Sequence, residues 1–338
     1  MQRRKKKIQQ ALEKEAGAEI TVKTPSKSRT VFLAISVVAV IMLIIGGVLY
    51  YRSNVAPFQR PVMMIDDTAI SMGYFLKRVK LSGSDYVSTL NQLVYEQIIK
   101  QEAPRFGIEV TPEDVDNNLL YTAGTSNSEN TTADTTMNIT EAEFKKWYRQ
   151  QLDQTRLSDA EYKDLVRTNM LAAGLHQLLA DNIPTSSEQI HLNVIVLANS
   201  KDAAAAKSRI EAGESFAAVA REVSLDAQSK ENGGEIGWVP RGVVPHDDVT
   251  FSLDIGIVSD PVVSDPTQPA SQYLLFMVSE KAPDREIDEG PLQVLKSRVL
   301  YDWLDQEVQY HTIDVTYDFN DTQNQAWIDW QLAKMSPK

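Results

Sequence analysis

The sequence predicts an α+β protein in three parts: a membrane-spanning helix near the N-terminus, a mostly helical domain, and a smaller domain in which strands and helices mix. Three observations lead there. Residues 31–51 form an uncharged apolar run long enough to cross a bilayer as a helix, roughly 30 Å. From residue 61 to 185 apolar side chains recur mostly at the spacing of amphipathic helices. Between residues 186 and 283, β-branched runs punctuated by Gly and Pro alternate with short helical stretches.

The first thirty residues carry nine Lys/Arg against three Asp/Glu, a net of +6; since the whole chain is −12, residues 31–338 hold −18. A basic flank ahead of an apolar span stays in the cytoplasm, and Tyr50 and Tyr51 suit the far interface. The expected topology is therefore a single-pass cell-membrane protein with a cytoplasmic N-terminus and an extracytoplasmic main body. The basic leader also suits an anionic inner leaflet. A cleavable signal peptide has a shorter apolar core and a small-residue cleavage site, whereas this run follows a 30-residue leader and ends in Tyr-Tyr-Arg. An uncleaved anchor is expected. The absence of cysteine agrees with an exported protein that makes no disulfides.

Residues 52–60 read as a short stalk. The chain beyond residue 60 is too long for one ordinary core and suggests two domains. "PVMMIDDTAI" reads as a strand, an acidic turn and a second extended piece. Leu90, Leu93, Val94, Ile98 and Ile99 then fall at helical spacing, with Gly107 as a stop. Thr111 is a candidate N-cap, with Pro112 at the first helical position and acids in the first turn. Residues 122–140, rich in Thr and Asn, have almost nothing to bury and are expected to be a mobile loop; Asn130 and Asn138 match the glycosylation pattern there. Helical spacing resumes, with Ser158 as a cap, until Pro184.

The remaining elements are read as a strand from residue 190, two short helices broken at Gly213, and the stretch "GGEIGWVPRG" at 233–242. Its glycines permit positive φ and feed a short strand. They are not a phosphate loop, because no lysine and no helix start follow them. "DIGIVSDPVV" and "ASQYLLFMVSE" complete the strands.

"IEAGESFAAVAREVSLDAQSKENGGEIGWVPRG" resembles the parvulin-type peptidyl-prolyl isomerase domain, through Gly213, Phe216, Ala220, Ser224, Asp226, Gly233, Gly234, Gly237, Trp238, Arg241 and Gly242. "FSLDIGIVSDPVV" extends the likeness through Phe251, Leu253, Gly256, Ser259, Pro261 and Val262. "LVYEQIIKQEAPRFGIEVTPEDVD" and "LKSRVLYDWLDQEVQYHTIDVTY" resemble the helical region and the C-terminal helix and strand of SurA- and PrsA-like extracytoplasmic foldases. That resemblance implies a helical chaperone domain at 61–185, a parvulin-like domain inserted at 186–283 with an antiparallel sheet flanked by helices, and residues 284–338 packing back on the chaperone domain.

It also implies a cleft. Active parvulins hold two histidines on neighbouring strands; here the aligned positions are Val194 and Tyr273. His191 cannot stand in for the first, since positions three apart on a strand face opposite ways. The proline pocket corresponds to Ile236, Val244 and, after a gap, His246 or nothing, with Trp238 and Phe251 near it. Asp226 falls near the family's central acid. Asp226 and Tyr273 are the candidate catalytic residues, and Ile236, Trp238, Val244, His246 and Phe251 the candidate substrate contacts.

Prolyl isomerisation breaks no bond, so loss of histidine does not by itself end it; a catalyst must favour the twisted amide, whose barrier is about 18–20 kcal/mol, by a dry pocket and a placed hydrogen bond. Two classes of function are consistent with this: an anchored foldase that isomerises proline weakly, and a holdase whose parvulin domain is scaffold. The partners implied are unfolded exported chains and the membrane. No cofactor or metal is expected, because His176, His191, His246 and His311 are scattered with no acid or cysteine at ligand spacing. Nucleic acid is excluded by the acidic outer portion. Oligomeric state is not readable.

Overall fold

The computed structural model describes residues 27–126, 139–268 and 271–335. Helix α1, Lys27–Asn54, contains a 20-residue stretch from Ile35 to Asn54 with mean hydropathy 2.1 that is not buried in the protein, and is long and apolar enough to cross a membrane. The short α2, Ala56–Gln59, leads into β1, Pro61–Ile65, and β2, Thr68–Ser71.

Helices α3 (Met72–Ser82), α4 (Tyr86–Glu102), α5 (Pro112–Ser126), α6 (Glu141–Thr155) and α7 (Asp159–Asp181) come next. The expected stripe on α4 is buried, Leu90, Leu93, Val94, Ile98 and Ile99 all being 9% exposed or less. The expected caps form as well: Thr111 Oγ1 accepts the Asp114 amide, and Ser158 and Glu161 make a reciprocal capping box on α7. Two features depart from the sequence reading. Helix α3 starts where the second extended piece ends, capped by Ser71; and α5 runs to Ser126, into the segment expected to be loop. Residues 127–138 of that loop, with Asn130 and Asn138, lie outside the described residues.

A second set of elements comprises β3 (Ser186–Leu197), α8 (Ser200–Glu211), α9 (Phe216–Val223), β4 (Glu235–Pro240), α10 (Asp247–Thr250), β5 (Val262–Val263) and β6 (Tyr273–Glu286). Here β5 is only two residues, where a longer strand was expected. The chain closes with α11 (Glu289–Glu307), β7 (Ile313–Val315) and α12 (Thr322–Lys334), the last not foreseen.

The two sheets divide the chain. The first is antiparallel with order β2-β1-β7, so a strand near the C-terminal end pairs Met63 with Val315 and Ile65 with Ile313. Helix α11 lies on α7, and His176 Nε2 bonds the Lys296 carbonyl at 2.8 Å. One core results, built from Phe75, Leu93, Ile98, Leu171, Leu175, Leu304 and Ile328. Arg78, only 3% exposed, is clamped in it by both oxygens of Glu96 at 2.5 Å. The second sheet is antiparallel with order β4-β3-β6-β5. Its two faces bury separate clusters. Ile195, Leu197 and Leu275 meet α8 and α9 on one side; Ile190, Leu192, Val194, Leu274, Phe276 and Val278 meet the segment 243–253 on the other.

Candidate functional site

The double glycine seats the turn before β4 between β3 and α9, close to Ala217 and Ala220. Gly233 and Gly234 have φ of 74° and 83°, and a Cβ on Gly234 would stand 2.4 Å from the Val194 carbonyl oxygen. No side chain fits there. The turn therefore presses onto β3, where the Val194 amide donates to the Gly234 carbonyl at 2.8 Å, and delivers β4 alongside. The "GGEIGWVPRG" stretch is thus a turn and edge strand beside the sheet face opposite α8 and α9, where the cleft is expected.

The floor of that cleft is aliphatic and aromatic. Val194, Leu274, Val239 and Phe276 come together, exposed 8%, 8%, 3% and 2%. Phe251 and Val244 lie over them, and the Arg241 guanidinium sits 4.0 Å from the centre of the Phe251 ring. His246 enters from the loop side with its ring 6.3 Å from that of Phe276. Its backbone is left-handed, φ 66°, and its Nε2 is buried without a hydrogen-bond partner. Of the chain's histidines, His246 is the one on this face.

Three of the candidate substrate contacts, Val244, His246 and Phe251, are therefore brought together, and two are not. Trp238 follows the alternation of β4 onto the other face, where it meets His191 edge-on at 5.3 Å and Arg285 at 5.1 Å. Ile236 is the extra residue in the bulge between the Leu192–Gly237 and Asn193–Glu235 pairs and is 42% exposed. His191 also points away from the floor, its Nδ1 2.8 Å from Ser279 Oγ.

Neither candidate catalytic residue stands over the floor. Tyr273 packs with the helix-side cluster, and its neighbour Leu274 faces the cleft instead. The residue paired with Val194 across the strands is Phe276, and Leu274 pairs with Val196; neither Phe276 nor Leu274 has a side-chain hydrogen-bonding group. Asp226 turns its carboxylate into its own loop, accepting from the Ser229 hydroxyl and from the amides of Gln228 and Ser229 at 3.3 and 3.2 Å. The Ser229 hydroxyl, more than partial burial opposes, holds this carboxyl below the usual aspartate range. The sequence reading missed Val239, Leu274 and Phe276. Alternation along β4 could have placed Val239, but the unbroken apolar run from 273 to 278 hides which residues face which way.

Among the described residues, two of the recesses outside that face are walled mainly by aliphatic side chains. One, about 310 Å³, opens where β3 and β4 meet α11, lined by Ile183, Pro184, Pro240, Ile287, Leu295 and Val299 with Glu188, Arg241 and Asp302 at its edge. The other, about 330 Å³, lies between α4 and β7, where Leu90, Val94, Val308 and Ile313 form the walls.

The expectation that no histidine stands with an acid is corrected by the fold. His311 Nδ1 lies 2.8 Å from Asp66 Oδ2, its Nε2 faces Glu102 Oε1 at 3.9 Å, and Glu307 completes the group.

Parts of this chain are similar to known proteins. The rotamase family, described as a PPIC-type PPIASE domain, matches residues 197–268. That match takes in α8 to β5 but leaves out all of β6 and all but the last residue of β3, the two strands that carry Leu274 and Val194. The foldase protein PrsA of Oceanobacillus iheyensis is 42% identical over 78 residues, 22% of this chain and 26% of the relative. The foldase protein PrsA of Caldanaerobacter subterraneus subsp. tengcongensis is 31% identical over 182 residues, 52% of each. This chain thus spans at most about half the length of these two relatives. Among solved structures, the peptidylprolyl isomerase PrsA of Bacillus cereus aligns over 83% of this chain and 93% of its own, at 17% identity and a TM-score of 0.36.

Proposed function

We propose that this chain, which carries a parvulin-type rotamase domain within a PrsA-like arrangement, is a membrane-anchored extracytoplasmic foldase that acts on its clients mainly by binding unfolded segments. Prolyl isomerisation is slow or lost in it. The observation that carries this reading is the apolar face: Val194 and Leu274 lie on the two central strands, and neither side chain can donate or accept a hydrogen bond.

Rotating a prolyl amide needs a surrounding that prefers the twisted state, and each tenfold of rate requires about 1.4 kcal/mol of such preference. An apolar floor desolvates both states alike. None of the floor side chains supplies the placed donor that would distinguish them, and the floor is covered by Val244, His246 and Phe251. Binding makes no such demand. Recesses of about 310 and 330 Å³, walled by aliphatic side chains, suit one or two apolar side chains of an extended segment. The PrsA relatives are named foldases, which supports a client of this kind. The exposed apolar helix α1 and the basic residues before it support a single-pass anchor with the main body outside.

The test is a pair of assays on the detergent-purified chain. A protease-coupled proline-peptide assay is expected to show turnover at least 100-fold below an active parvulin, while substoichiometric to equimolar protein slows aggregation of a chemically unfolded client. Turnover equal to an active parvulin, or no effect on aggregation, overturns the proposal.

A further inference from the structure

His311 sits where three segments distant in sequence meet. Glu102 is the last residue of α4, Glu307 the last of α11, and His311 comes four residues after Glu307 across a 3₁₀ turn, Val308–Tyr310. Asp66 supplies the fourth group, from the left-handed turn between β1 and β2 (φ 50°). It grips the same place with its backbone: the Asp66 amide donates to the Thr312 carbonyl at 2.8 Å, and the Thr312 amide donates to Asp66 Oδ1 at 2.9 Å.

The proton on the imidazole is then assigned by its partner. An ionised carboxylate only accepts, so Nδ1, 2.8 Å from Asp66 Oδ2, is the protonated nitrogen. In the neutral ring Nε2 is left with a bare lone pair. The His311 side chain is 7% exposed, and Nε2 is buried with no hydrogen-bond partner. What it faces is more acceptor: Glu102 Oε1 stands 3.9 Å away, and a ring nitrogen of His311, a Glu102 oxygen and a Glu307 oxygen all lie within 4.8 Å of one another.

Three acceptors turned inward on one another favour a positive charge between them. A second ring proton does not bridge them, because 3.9 Å exceeds the hydrogen-bond range of about 2.7–3.2 Å. A metal ion does: two bonds of about 2.0–2.2 Å at tetrahedral or wider angles place their donor atoms roughly 3.3–4.3 Å apart. The charge also balances. Asp66, Glu102 and Glu307 bring three negative charges, and the facing cation is Arg105, whose Nη1 holds Glu102 at 2.7 and 2.9 Å from a side chain 74% exposed. Two negative charges remain for a dication. Imidazole in the set favours a transition ion over magnesium or calcium, and a carboxylate behind the ring is the usual means of aiming its other nitrogen at a metal.

We propose that Glu102, Glu307 and His311 form a zinc-class divalent metal site, oriented by Asp66, that clips the segment 289–315 onto the N-terminal half of the helical unit. The site is structural and independent of the cleft. Its effect is to make closure of a discontinuous core depend on an ion drawn from outside the membrane, where the chain's main body is proposed to lie.

The full chain, stripped with EDTA in detergent, is titrated with zinc chloride alone and followed by equilibrium dialysis and thermal unfolding. One ion per chain and a raised unfolding midpoint are expected. Glu307→Gln and His311→Gln each weaken binding at least tenfold and abolish the thermal shift, and Asp66→Asn weakens it about 10- to 100-fold. His176→Gln, whose ring is held by a backbone carbonyl, leaves binding unchanged. Should His311→Gln fail to fold, Glu307→Gln, at a half-buried residue, carries the same test. No saturable zinc binding, binding indifferent to Glu307→Gln and His311→Gln, or equal retention of magnesium overturns the proposal.

Discussion

Placing a methyl group on Gly234 tests how far the cleft strand depends on the glycine turn. In Gly234→Ala the new Cβ would begin 2.4 Å from the Val194 carbonyl oxygen, whereas real Cβ contacts under 3.0 Å are essentially absent. The turn and β3 must therefore part by at least about 0.6 Å, which stretches the 2.8 Å hydrogen bond from the Val194 amide to the Gly234 carbonyl beyond its normal range. Three costs coincide: left-handed φ with a side chain, about 1–2 kcal/mol; a crowded contact, about 1–3 kcal/mol; and a weakened buried hydrogen bond, about 0.5–1.5 kcal/mol. Because one shift relieves the second at the expense of the third, the net is about 3–5 kcal/mol. Gly237→Ala is the internal control. Its φ is 94°, but nothing lies within 4 Å of its Cβ, so strain alone applies, about 1–2 kcal/mol. Native-state hydrogen exchange of the β3 amides in the full chain reads both. Equal losses of protection in the two variants, or a larger loss in Gly237→Ala, refute the close-approach argument.

Buried polar groups give further expected outcomes. Glu96→Gln leaves the Arg78 guanidinium, 3% exposed, without its carboxylate and is expected to cost about 3–5 kcal/mol by denaturant unfolding, while Arg78→Met with Glu96→Leu recovers most of the loss. Asp226 has a folded-state pKa below its unfolded one, so its contribution is present above the ordinary aspartate range near 4 and disappears as pH falls through the depressed value; Asp226→Asn should flatten the acid limb of the stability profile without altering proline-peptide turnover. Leu171→Ala, at a side chain with no exposed surface where α7 joins the common core, should cost about 2–5 kcal/mol and weaken aggregation suppression together with stability.

What could be read from the sequence was whatever a short window encodes. The α4 stripe and the caps at Thr111 and Ser158 are local, and each forms as expected. Helix α3 was equally local, with Ser71 as cap and Met72, Phe75, Leu76 and Val79 at helical spacing, but an extended piece just before it masked the start. The cleft was half legible. Val194 was placed by motif order, whereas Tyr273 and Leu274 exchange faces on a one-residue slip, and a run of six apolar residues gives alternation nothing to report. The acids around His311 were not legible: Asp66 is 245 residues away and Glu102 lies on another helix, so only the β1–β7 pairing and the α11 turn bring them together.

The β1–β7 pairing also sets a clock. A chain made from its N-terminus exposes β1 long before its partner exists, because 246 residues separate Asp66 from Thr312. At about 5–20 residues per second the gap lasts on the order of 12–50 s. Through that interval Val62, Met63 and Ile65, all fully covered in the finished protein, have only the β2 hairpin beside them. The second sheet suffers no such delay, since β3 to β6 are synthesised as one continuous block. A protein proposed to shelter other unfinished chains is thus itself, for most of its synthesis, an unfinished chain with an open strand edge.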